Sequence, residues 1–75
     1  SQAKLKYIFK EVYRMSIQEY IVTRRITHAE HLLKDTVFPV SQIAEMVGYK
    51  YISSLSDMFR QRTGMKPTEY REKGR

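Results

Sequence analysis

The sequence contains no cysteine. That excludes a disulfide staple, a thiolate metal site and a thiol nucleophile. Proline and glycine are scarce, two and three in 75 residues, so few points punctuate the chain. No apolar run approaches the roughly 20 residues that span a bilayer. Nor is there the basic and then apolar leader of a secretory signal. A cytoplasmic protein with no membrane partner is the expectation. Paired carboxylates at chemical spacing and a glycine-rich phosphate loop are both missing, which argues against an enzyme. His28 and His31 stand three apart with no cysteine near them. Two imidazoles alone are a poor metal signal, and they read as a solvated helix surface. No metal or cofactor is expected.

What the chain does have is positive charge: 14 basic and 8 acidic residues, a formal net charge of +6. That favours an anionic partner, either nucleic acid or an acidic surface. A chain of this length buries only a small core, so packing must be efficient or shared with sequence beyond it. It starts at Ser1 rather than Met, and a piece of a longer protein is expected.

Between the breakers the apolar residues recur at helical period. Leu5, Ile8, Phe9 and Val12 mark a helix over Ala3 to Tyr13. Ser16 and Glu19 form a capping-box pattern that opens a long helix reaching Lys34. Pro39 starts a short helix whose inner face is Val40, Ile43, Ala44 and Val47, and Gly48 ends it. The next helix runs from about Tyr51 to Arg62, with Tyr51 or Ile52, Leu55, Met58 and Phe59 facing inward, and Gly64 ends it. Pro67 opens a last short helix through Tyr70, and the tail Arg71 to Arg75 is expected to fray. The fold class is therefore all-α, about five helices. A short helix, a glycine-bearing turn and a three-turn helix over Pro39 to Arg62 make the helix-turn-helix layout.

The chain also repeats itself. Phe9 to Tyr20 reads FKEVYRMSIQEY, and Phe59 to Tyr70 reads FRQRTGMKPTEY. Leu5 matches Leu55, Ile8 matches Met58, and Met15 matches Met65. Two copies of one supersecondary unit are expected. Arg14 stands where the second copy has Gly64. It either adopts a left-handed backbone or the chain leaves the helix differently there. Only the second copy has a helix before it, so the chain is expected to begin inside its first unit.

Several stretches together resemble the DNA-binding domain of the AraC/XylS family of bacterial transcription regulators. Arg25-Ile26-Thr27-His28-Ala29-Glu30-His31-Leu32-Leu33 is similar to that family's R-L-x-x-A-x-x-L-L. Val40 to Tyr49 is similar to I-x-x-I-A-x-x-V-G-F. Ser53, Leu55, Ser56 and Phe59-Arg60, with Gly64 to Arg71, are similar to S-x-F-S-x-x-F-K and G-x-x-P-x-x-Y-R. The resemblance covers Lys4 to Arg71. It implies a homeodomain-like helix-turn-helix fold with two such units joined by a linker helix, each placing a recognition helix in the major groove of double-stranded DNA. Residues 1–15 would be the recognition helix of a first unit. Residues 16–35 would be the linker, and 36–75 a complete second unit. The resemblance also implies an effector-binding or dimerisation domain outside this chain, and allows RNA polymerase as a partner.

With Leu55 inward, a rotation of 100° per residue turns Ser53, Asp57 and Arg60 outward. Ser53, Ser54 and Asp57, with Ala3 and Tyr7 in the first copy, are the base-reading candidates. Lys4, Lys6, Lys10, Lys50, Ser56, Arg60 and Gln61 are the backbone candidates, with the helix starts near Pro39 and Tyr51 offering amides to phosphate. Asp57 departs from the family's frequent Arg. It can only accept a hydrogen bond, and it repels phosphate. Leu5, Phe9, Ser16, Glu19, Ile43, Ala44, Gly48, Leu55, Phe59, Gly64, Pro67 and Tyr70 are the expected core and caps. Arg25 is expected to pack and bridge as much as to touch DNA, with Glu30 or Glu45 as its partner. The competing reading is a helical protein-interaction module without specific DNA binding of its own.

Overall fold

The computed structural model describes residues 2–74. They form five α-helices in an all-α fold: α1 (Gln2–Tyr13), α2 (Ile17–Asp35), α3 (Val40–Val47), α4 (Ile52–Thr63) and α5 (Pro67–Lys73). No strand occurs among the described residues.

Each boundary has a local cause. The Ser16 hydroxyl accepts from the Glu19 backbone N–H at 3.1 Å, which satisfies one of the free amides that open α2. Pro39 is the residue before α3, in an extended backbone, rather than part of the helix's first turn. Gly48 ends α3 at φ 107° and Gly64 ends α4 at φ 79°, left-handed conformations that favour glycine. Pro67 begins α5, where its missing N–H costs nothing. At the same helix start the Glu69 carboxylate accepts from the Lys66 N–H at 3.1 Å.

The core lies where α2, α3 and α4 meet. Ile26, Ala29 and Leu33 come from α2, Ile43, Ala44 and Val47 from α3, and Leu55 and Phe59 from α4. The helical period puts these residues on one face of each helix. Phe59 and Leu55 are wholly buried, and each such side chain contributes about 2–3 kcal/mol by leaving water. Pro67 seals the end of the core, and the Tyr70 ring packs against it. Lys34 places its Nζ 5.0 Å from the centre of that ring. Its pKa is raised, chiefly by hydrogen bonding to Tyr70.

The repeat is geometric as well as textual. Phe9 meets Tyr20 edge-on with ring centroids 5.2 Å apart at 74°. Phe59 meets Tyr70 at 5.3 Å and 75°. The Arg14 N–H donates to the Lys10 carbonyl at 2.8 Å, and the Gly64 N–H donates to that of Arg60 at 2.8 Å. Arg14 takes φ 61°, so the first copy keeps the left-handed exit without glycine. Tyr13 adds a third ring there, 4.4 Å from Phe9 and 5.4 Å from Tyr20.

Several expectations need correction. Leu5 is 59% exposed and Phe9 only half-buried, because none of the eight residues of the buried core comes from α1. Tyr51 and Ile52 are 60% and 47% exposed. Tyr51 precedes the helix and Ile52 opens it, so both stand on the solvent side rather than inward. Arg71 to Lys73 continue α5 instead of fraying. The Arg71 guanidinium holds them by donating to the Leu33 carbonyl at 3.1 Å and the Thr36 carbonyl at 3.4 Å, near the end of α2. Ser1 and Arg75, the ends of the expected spans, lie outside the described residues.

Candidate nucleic-acid interface

The turn between α3 and α4 decides how α4 is presented. Gly48 reverses the chain, and the Tyr49 N–H reaches back 2.8 Å to the Ala44 carbonyl. The Arg25 guanidinium of α2 lies over the Tyr49 ring, 4.9 Å from its centre. A cation over an aromatic face is attractive, and Arg is well shaped for it. Arg25 therefore does bridge α2 to the turn, but through the ring rather than through Glu30 or Glu45. Gly48 is also what lets it sit so close. A Cβ built there would lie 3.1 Å from Arg25 Nε.

With Leu55 and Phe59 locked in the core, the other side of α4 is fixed outward. Ser53, Ser54, Asp57, Arg60 and Gln61 are exposed, and Ser56 is half-buried. This is a run of small and polar groups that an edge of DNA can approach. Lys50 is exposed in the turn, with its Nζ 5.6 Å from the centre of the Tyr51 ring. Neither α3 nor α4 has a side-chain cap, so the first-turn amides at both starts are open to an outside acceptor. On α1, Ala3, Lys4, Lys6, Tyr7 and Lys10 are all exposed. Two helices thus carry the predicted candidates, one with three lysines and one with a mixed polar face.

Sequence reasoning missed Tyr51 and Ile52. They line a shallow groove with Ser41, Glu45, Tyr49, Lys50 and Ser53 at the front of the turn, beside the base-reading candidates. Their signal was ambiguous. An apolar residue at a helix start reads as core until the helix's orientation is known.

A family model described as a helix-turn-helix domain matches residues 1–73. The chain belongs to this helix-turn-helix family. LumQ of Photobacterium leiognathi, a probable transcriptional regulator, is 31% identical over 70 residues, covering 93% of this chain and 28% of that protein. RhaR of Yersinia pseudotuberculosis serotype O:1b, an HTH-type transcriptional activator, is 32% identical over 72 residues, 96% of this chain and 25% of its own length. The C-terminal domain of AraT, a response regulator from Geobacillus stearothermophilus, superposes with a TM-score of 0.95 at 30% identity, over 97% of this chain and 60% of that one. The chain spans about a quarter of the length of these curated relatives. It is a helix-turn-helix DNA-binding domain of transcription regulation and not an enzyme. No helix among the described residues is long and apolar enough to cross a membrane.

Proposed function

We propose that this helix-turn-helix domain is the DNA-binding part of an AraC/XylS-type bacterial transcription regulator. Its α4 enters the major groove of double-stranded DNA, with Ser53, Ser54 and Asp57 nearest the base edges. Lys50, Ser56, Arg60 and Gln61 flank them toward the phosphates. In this reading residues 1–15 are the recognition helix of a first unit, 16–35 the linker, and 36–75 the second unit. Ala3 and Tyr7 then read bases, and Lys4, Lys6 and Lys10 hold the backbone.

One observation carries the reading. The ring pair at the exit of α4 recurs at the exit of α1 with the same spacing and tilt. A helix that leaves its unit as α4 does is best understood as a second recognition helix. The names of LumQ and RhaR, both regulators of transcription, support the same assignment.

The test is a fluorescence anisotropy titration against duplex DNA at two salt concentrations. Neutralising several phosphates makes log K fall linearly with log salt at a slope of about −0.9 per contact. A steep fall is expected. Binding that ignores salt, or no binding by the protein, sinks the reading.

A second reading draws on the exposed apolar side of α1, where Leu5, Ile8 and Val12 are 59%, 48% and 66% exposed. Such a face suits a protein partner, RNA polymerase or a regulatory domain among them. Tight protein binding without DNA binding would favour it.

A further inference from the structure

Between α2 and the C-terminal end of α3 runs a groove of about 450 Å³ lined by Arg24, Arg25, Thr27, His28, His31 and Val47. No carboxylate is among these residues. Every polar side chain in it can donate a hydrogen bond, and two carry a fixed positive charge. We propose that this groove is a further contact site for the DNA phosphate backbone, with Arg24, His28 and His31 as its donors. The proposal rests on the DNA-binding reading above and extends the footprint beyond α4.

Three features point to a phosphodiester chain. The first is segregation of charge along α2. Arg24, His28 and His31 are spaced four and three apart, which stacks them in one row. The row rises roughly 10 Å at 1.5 Å per residue, long enough to follow a strand rather than grip a single ion. Glu30 lines the neighbouring groove with Thr23, Arg62 and Thr63, and Thr27 borders both. The second feature is availability. Arg24, His28 and His31 are exposed, and none has a side-chain hydrogen-bond or ion-pair partner among the described residues. An imidazole donates an N–H whether neutral or charged, so neither histidine depends on acid to serve.

The third feature is continuity with the recognition helix. Val47, the last residue of α3, is the edge the groove shares with the turn. Arg25 reaches from the groove onto Tyr49, whose neighbour Lys50 leads into α4. In this proposal a duplex seated on the first turn of α4 runs its backbone past this row. Two of the carbonyls that end α3 are turned away from the phosphate. The Ala44 and Glu45 carbonyls are occupied by the Gly48 and Tyr49 N–H groups.

The experiment is an anisotropy titration of the protein from about 50 to 200 mM salt. Wild type is compared with the triple variant Arg24→Gln, His28→Gln, His31→Gln and with Arg24→Gln alone. Arg25 is left intact because it holds the turn. Gln keeps helix propensity near that of Arg, and circular dichroism checks the fold. The expected result is an affinity lower by about tenfold in the triple variant, equally on target and unrelated duplex. The salt slope should become shallower by about 1 in both variants, one phosphate contact per lost cation. A merely structural effect would lower affinity without changing the slope. Variants that match wild type in affinity and slope overturn the proposal while leaving the DNA-binding reading standing. A wild type that binds no DNA removes both.

Discussion

Arg14 and Gly64 hold the same left-handed backbone, at φ 61° and 79°, at equivalent places in two copies of one unit. Each ends its helix with the same 2.8 Å bond to a carbonyl four residues back. Only one of them is glycine. A left-handed backbone costs an L-residue roughly 1–2 kcal/mol, so the first copy carries strain that the second does not. Arg14→Gly should relieve it and stabilise α1 by up to about 1 kcal/mol, after allowing for the entropy glycine loses on folding. Helicity and urea unfolding would read this. A variant less stable than wild type contradicts it.

Gly64 and Gly48 should respond differently to the same substitution. A Cβ at Gly64 meets nothing within 4 Å, whereas at Gly48 it meets the Arg25 guanidinium at 3.1 Å. Gly64→Ala is then a purely conformational change costing about 1 kcal/mol. Gly48→Ala must also push Arg25 off Tyr49, for a total of about 2 kcal/mol or more. A double-mutant cycle with Arg25→Ala separates the two parts. The steric share should vanish in that background, and the backbone share should persist. Equal costs for the two alanines would contradict the account.

Leu5 and Leu55 occupy matching places in the repeat but not matching environments. Leu55 is fully buried and Leu5 is 59% exposed. Leu55→Ala should cost about 2–5 kcal/mol, enough to unfold much of so small a domain. Leu5→Ala in this chain should stay within about 0.5 kcal/mol. Denaturant midpoints on the two variants would show it.

That pair marks what sequence can and cannot reveal here. The five helices were legible because periodicity, two left-handed glycines, a proline just before α3 and another opening α5 are local signals. The outward face of α4 was legible because Leu55 and Phe59 set its phase. Burial of Leu5 was not, since it depends on which helices lie across it. Arg71 was misread for a related reason. Its anchor is the carbonyl end of α2, with Leu33 38 residues and Thr36 35 residues away in sequence. Tyr51 or Ile52 read as core because one turn of helix phase is too short to orient an end.

Arg71 itself gives a test of that anchor. Its Nε and Nη2 donate to two carbonyls at the end of α2, a place where a cation is also favoured by the helix dipole. Hydrogen bonds from a charged donor are worth about 1.5–3 kcal/mol. Arg71→Ala should lose about that much in chemical denaturation. Arg71→Lys should recover only part, because a single ammonium does not reproduce a two-point fork. Full rescue by Lys would show that charge alone matters.

Asp57 offers the sharpest test of how α4 meets DNA. It stands exposed on the outer face beside Ser53 and Ser54, where α4 turns toward the duplex in the proposed reading. A carboxylate there accepts from cytosine N4 but repels every phosphate nearby. Asp57→Asn removes the repulsion and keeps the shape. Binding to unrelated duplex should therefore tighten by several-fold, while discrimination between target and non-target falls by about 1–3 kcal/mol as the cytosine contact weakens. Asp57→Arg should shift preference toward guanine at that base pair, since a guanidinium pairs bidentately with its O6 and N7. Competition titrations against duplexes changed one base pair at a time would record both. If neither variant alters base preference at any position, Asp57 does not face the groove, and the orientation proposed for α4 is wrong.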